Sequence, residues 1–187
     1  MTNKEIPRDP SKEEIKFILE LIEINKIYDA EKNLNKIITK YPNSAILYNI
    51  LGGILVKKNK LEEAILNCEK SIKINPNYPE AYNNLGIALQ KFNKTEVAIE
   101  NYKKSIELKK NFIQAHHNLG NAYIYLDEPQ NSLQHFNKAL EYDPISASAM
   151  FRIGNIYYVI KDYIKASEML EKGLSIEGNN YKVFYML

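Results

Sequence analysis

Apolar and polar residues follow one another along this chain with a helical period, in short bursts. Over 79–112, Tyr82, Leu85, Gly86 and Leu89 recur at i, i+3, i+4 and i+7, one stripe of a 3.6-residue repeat. After a break at Phe92, Asn93 and Lys94 a second stripe begins, carried by Val97, Ala98, Tyr102, Ser105, Ile106 and Leu108. The pattern predicts two amphipathic helices joined by a turn. Helices this short, each with one apolar face, are marginal alone, so the pair must lean on further copies of itself.

Those copies are present. A shift of 34 residues aligns 79–112 with 11–44, 45–78, 113–146 and 147–180 without a gap. The pair Leu85 and Gly86 returns as Leu51 and Gly52, Leu119 and Gly120, and Ile153 and Gly154. Tyr82 returns as Tyr48, His116 and Met150, and Tyr102 as Leu34, Cys68, Phe136 and Leu170. Ala98 matches Ala30, Ala64, Ser132 and Ala166; closing prolines stand at Pro42, Pro76 and Pro144. A 34-residue helix–turn–helix period with these residues resembles the tetratricopeptide repeat (TPR) family over 11–187. The resemblance implies an all-α fold, a right-handed α-solenoid of stacked antiparallel helix–turn–helix units. The expected organisation is a disordered lead-in over 1–10, five repeats over 11–180, and the truncated start of a sixth over 181–187. An array that stops mid-helix at 187 suggests a fragment of a longer protein, or a tail that docks on a partner.

Local signals agree with that frame. Ser11 and Glu14 have the spacing of a capping box, and in this first copy Glu14 and Ile18 replace the usual aromatic residue and glycine. Turns inside the hairpins fall at Asn25, Asn59, Asn93, Asp127 and Lys161, where asparagine tolerates the left-handed conformation. Pro129 suits the first position of a helix. Ser44, Asn77 and Ser146 are expected to cap the next first helices. Gly52, Gly86, Gly120 and Gly154 predict close helix–helix approach at positions where a Cβ would collide.

Composition narrows the function classes. A chain with 45% hydrophobic and 26% charged residues is globular rather than disordered. Its net charge of +2 gives no general pull toward nucleic acid or an anionic membrane. Cys68, the single cysteine, excludes an internal disulfide and reads as a buried thiol. With no long apolar run and no hydrophobic signal core at the start, a cytoplasmic location is expected.

No catalytic constellation, cofactor motif or metal-ligand set is visible. Gly52 and Gly53 lie inside a helical frame without a preceding strand, which is not a phosphate loop. His116 takes a core aromatic position, His117 projects about 100° from it, and His135 is expected to be mostly solvated. Glu62, Glu63, Glu96, Glu100 and Glu141 read as solvated outer-face carboxylates paired with lysines.

What remains is a surface. In TPR stacks the first helices line a concave face, and the resemblance implies that ligands lie there. The matching inward positions carry Asn49, Asn83, His117 and Phe151; Asn84, Asn118 and Arg152; and Asn121 and Asn155. Further along they carry Ile124 and Tyr158, then Tyr125 and Val159. Amides offer the donor and acceptor that a peptide backbone needs, and arginine can fork onto a carboxylate. Tyr125, Tyr158 and Phe151 would serve as apolar anchors. The carboxylate grip of chaperone-binding TPR proteins is matched only at Asn118 and Arg152, and the asparagine ladder of O-linked N-acetylglucosamine transferases only at Asn84 and Asn118. The opening of the chain also loosely resembles the N-terminal TPR region of bacterial glycosyltransferase and sulfotransferase proteins. The expected function is therefore a non-catalytic scaffold that holds a peptide or protein segment, with no nucleic acid or membrane partner. The alternatives are the substrate-recognition arm of a transferase continuing beyond 187, and self-association through 181–187.

Overall fold

A computed structural model describes residues 9–177. Among them ten α-helices follow one another with no strand, and none is long and apolar enough to cross a membrane. The expected beginning of a sixth repeat at 181–187 and most of the lead-in lie outside the described residues. Within the lead-in's last two residues the chain is already docked: Pro10 is buried, and the Asp9 carboxylate accepts from the Ser44 hydroxyl at 2.5 Å.

The chain divides into two compact units at Leu108. The first contains α1 (Lys12–Glu23), α2 (Ile27–Lys40), α3 (Ala45–Lys57), α4 (Leu61–Ile74), α5 (Pro79–Lys91) and α6 (Thr95–Leu108). Consecutive helices pair as α1 with α2, α3 with α4 and α5 with α6; α3 also packs on α5, and α4 on α5. Its core runs from Ile18, Ala30, Leu34, Leu47 and Ile54 to Leu55, Val56, Ala64 and Ala88. The second contains α7 (Ile113–Tyr125), α8 (Pro129–Tyr142), α9 (Ala147–Val159) and α10 (Tyr163–Glu177). Here α7 pairs with α8, α9 with α10, and α8 packs on α9, around a core of Phe136, Ile153 and Ile156.

Every hairpin turns in the same way. Asn25, Asn59, Asn93, Asp127 and Lys161 all have φ between 58° and 65°. In the first turn the Asn25 N–H donates to the Ile22 carbonyl and the Lys26 N–H to that of Leu21. The same two bonds recur in the other four turns, for instance from Asp162 to Tyr157 and from Lys161 to Tyr158. This is the Schellman arrangement, which satisfies helix-end carbonyls by one left-handed residue.

The glycines expected to permit close approach do so, each against the residue sixteen positions later, as in 68 − 52 = 16. A Cβ built on Gly52 would stand 2.5 Å from Cys68 Sγ, and on Gly86 2.5 Å from the Tyr102 ring. On Gly120 it would stand 2.7 Å from the Phe136 ring, and on Gly154 2.8 Å from Leu170. The first hairpin dispenses with glycine, setting a buried Ile18 into the cluster that holds Leu34. Its capping box forms: the Glu14 N–H donates to Ser11 Oγ, and the Ser11 N–H to the Glu14 carboxylate. Glu14 also accepts from Lys40 and Tyr41, and the Ser11 N–H, foremost among these donors, holds its carboxyl below the usual range.

The other expected caps differ. Ser44 and Ser146 occupy N-cap positions without making a side-chain cap bond, and the cap of α5 is Tyr78 rather than Asn77. At Ser44 the hydroxyl donates to the Asp9 carboxylate, a charge-assisted bond. Hairpins are tied elsewhere: Ser71 donates to the Ala45 carbonyl and Ser105 to that of Pro79.

Candidate functional site

Asn49, Asn83 and Asn84 lie in the first unit, on α3 and α5. Asn49 and Asn83 are only 7% and 5% exposed. The Asn49 amide donates to the Tyr78 hydroxyl at 3.3 Å, while its oxygen accepts from Asn84 Nδ2 at 2.8 Å. These side chains bridge α3 and α5, so the Asn49 amide is already engaged as both donor and acceptor; Asn84 remains half-buried beside it. Burial pushes the Tyr78 hydroxyl's pKa up, so it stays a neutral hydrogen-bond partner at ordinary pH. A larger cleft of about 530 Å³ in this unit, lined by Asp9, Ile46, Asn75 and Tyr78, includes none of the expected residues.

The second unit holds the remaining eight on α7 and α9. His117 is half-buried with its ring edge-on to Phe136, centroids 5.4 Å apart. Burial first, then the charge of Arg152, hold its pKa below the usual histidine value, so it is neutral at pH 7. Phe151 does not stand free as an anchor: its ring fills the space over Gly173, where any Cβ would collide with it. Asn118, Asn121 and Asn155 are half-buried, and Arg152 is exposed. Tyr125 and Tyr158 are 67% and 50% exposed, and Tyr158 meets Tyr163 edge-on at 5.6 Å.

Arg152 and Asn155 share a slot of about 150 Å³ with Ile124, Asp127, Glu128, Pro129, Ile156 and Val159. It is set where the turn between α7 and α8 comes against α9. Glu128 is engaged with the Asn131 amide. Among the described residues no carboxylate stands within ion-pair distance of Arg152. The apolar walls were partly legible, since Ile124 and Val159 occupy inward sequence positions; the contribution of the turn residues was not.

The histidines meet expectation only in part. His116 is buried as expected, with Nε2 3.0 Å from the Lys110 carbonyl and Nδ1 3.3 Å from His135 Nδ1. His135 is not mostly solvated: it is half-buried and stacked on Tyr123, rings 10° from parallel. Among the described residues no group of three or more His, Cys, Asp or Glu side chains could hold a metal ion. The carboxylates at 62, 63, 96, 100 and 141 are all exposed, and two of them, Glu63 and Glu141, pair with Lys60 and Lys138.

Comparison with known proteins agrees with the repeat geometry. Among solved structures, MamA is 21% identical with a TM-score of 0.74, over 87% of this chain and 95% of that one. YrrB, described as a TPR protein with an unusual peptide-binding site, is 24% identical with a TM-score of 0.69, over 95% and 91%. A thermophilic TPR protein of Thermus thermophilus is 14% identical with a TM-score of 0.78, over 93% and 95%. No curated protein sequence matches the chain. A family model described as TPR repeat matches residues 52–91 and 93–126, and models described as tetratricopeptide repeat match 113–145 and 147–180. With its hairpins, left-handed turns and glycine contacts recurring at the matched spacing, the chain belongs to the tetratricopeptide repeat family.

Proposed function

We propose that this chain is a non-catalytic, cytoplasmic interaction scaffold that holds an extended peptide or protein segment along its first helices. The supporting observation is the composition of the α7 and α9 surface. Arg152, Tyr125 and Tyr158 are exposed there with half-buried Asn121 and Asn155 beside them. Exposed aromatics supply contact area at low entropic cost, the amides match a peptide backbone, and the guanidinium matches a carboxylate. Neighbouring TPR structures include one described as having a peptide-binding site, in keeping with this reading.

The test is a random-peptide selection against the folded chain, followed by fluorescence anisotropy of the enriched peptides. Replacing Tyr125 and Tyr158 together by alanine should weaken binding while leaving thermal melting unchanged. If no peptide is enriched, or the double variant binds like the parent, the reading fails.

A further inference from the structure

We propose that the cleft of the first unit binds an organic cation, an ammonium or guanidinium group carried on an apolar stem. The inference stands apart from the peptide surface of α7 and α9, and neither depends on the other. At about 530 Å³ the cleft falls within the range of small-ligand sites, typically about 300–1,000 Å³. Its apolar wall is Ile15 of α1, Ile46 of α3 and Ile74 of α4, all half-buried. Asp9, Asn75 and Tyr78 supply polar groups. Among the described lining residues Asp9 alone carries a charge, so the lining favours a cation over an anion. A guest of this kind would cover the isoleucines with its stem while its head meets the carboxylate.

The chain supplies its own version of such a guest in a later copy. Lys109 and Phe112 stand 34 residues after Asn75 and Tyr78, and there the lysine ammonium lies 4.7 Å from the centre of the phenyl ring. That is a cation–π contact, which a tyrosine ring makes as readily as phenylalanine. In the earlier copy Tyr78 keeps the ring, but asparagine stands where the lysine would be. The apolar wall is equally particular to this copy: Ile46 gives way to Glu80, Gln114 and Ser148 at the same place in the later ones. The repeat itself therefore does not require this combination of three isoleucines, an aromatic ring and a carboxylate.

The experiment follows the amide signals of the isotope-labelled full chain by NMR during titration with n-pentylammonium, Nα-acetyl-lysine methylamide, pentanoate and pentanol. The two ammonium probes should shift the signals of Ile15, Ile46, Ile74 and Tyr78 to saturation. They should bind about tenfold tighter than pentanoate or pentanol, as a desolvated cation–π contact would give. Asn75→Lys supplies the ammonium from the chain, as Lys109 does in the later copy, and should block both probes. Asp9→Asn should weaken them about threefold, as for an exposed ion pair. Both positions are exposed, and circular dichroism checks the fold; should Asn75→Lys misfold, Asn75→Arg replaces it with the same expectation. Tighter binding of the lysine derivative would identify the guest as a basic residue of a partner chain, and tighter binding of pentylammonium as a free amine; either bears the proposal out. If no probe saturates, if pentanoate or pentanol matches the ammonium probes, or if either variant binds them like the parent, the cleft is not a cation site, and the peptide reading stands untouched.

Discussion

Gly120 and Phe136 compete for one volume: a Cβ on the glycine would lie 2.7, 2.9 and 3.0 Å from three atoms of the buried ring. Alanine is the better helix former by about 1 kcal/mol, yet the rigid ring cannot move aside without disturbing α7 and α8. Gly120→Ala is therefore expected to destabilise by about 1–3 kcal/mol in urea melts, typical of overpacking. Adding Phe136→Leu should recover part of that loss, a favourable coupling in a double-mutant cycle. A stabilised Gly120→Ala would show that propensity, not packing, governs this position.

The amide bridge of the first unit makes a separate prediction. Asn49 joins Tyr78 to Asn84 from a nearly buried position. Asn49→Ala should cost about 1–3 kcal/mol, because truncation strands a buried polar group as well as removing two bonds. Asn84→Ala, at a half-buried position where water can replace the lost donor, should cost less. Equal and negligible effects on melting would instead make both side chains free surface groups.

These asparagines also mark where sequence reasoning reaches its end. The period, the hairpin turns and the close approach at the glycines were readable because each recurs at a fixed offset. Even Lys161, an unlikely residue for a left-handed turn, was placed correctly by register alone. Polar residues on the first helices were a different matter. Asn49 and Asn121 share the same chemistry, but one is closed off by Asn84 and Tyr78 across a neighbouring helix. His135 was misjudged for the same reason, since its partner His116 stands nineteen residues away and on another helix. Residue type reveals the capacity to bond; only the fold reveals whether that capacity is already used.

Lys161 itself is improvable. Its φ of 65° lies where a side chain with a Cβ is strained, and the other four turns use asparagine or aspartate. Lys161→Asn or Lys161→Gly should raise stability, by about 0.5–1 kcal/mol for glycine where strain relief outweighs the added freedom of the unfolded chain. A Tm that falls in both variants would mean that the lysine stem contributes packing that outweighs the strain.

Cys68 should report on pH. Burial pushes its thiol from 9.0 up to about 12, with Glu69 adding to the shift. In the folded chain the thiol is therefore neutral at pH 8, and a disulfide reagent should label it only as fast as the first unit opens, but rapidly in denaturant. The linkage has a definite sign. Above pH 9 the unfolded thiol releases its proton while the folded one retains it, so the unfolded state gains and stability falls between pH 9 and about 12. The limiting slope for one such group is about 1.4 kcal/mol per pH unit. Tyr102, whose phenol burial also raises, adds a loss of the same sign once unfolded tyrosine ionises. Urea melts of the parent and of Cys68→Ala across this range separate the two groups: the parent should lose stability more steeply, beginning near pH 9. Parallel curves would mean that the thiol is open to water, and with it the contact between Gly52 and Cys68 that closes the second hairpin.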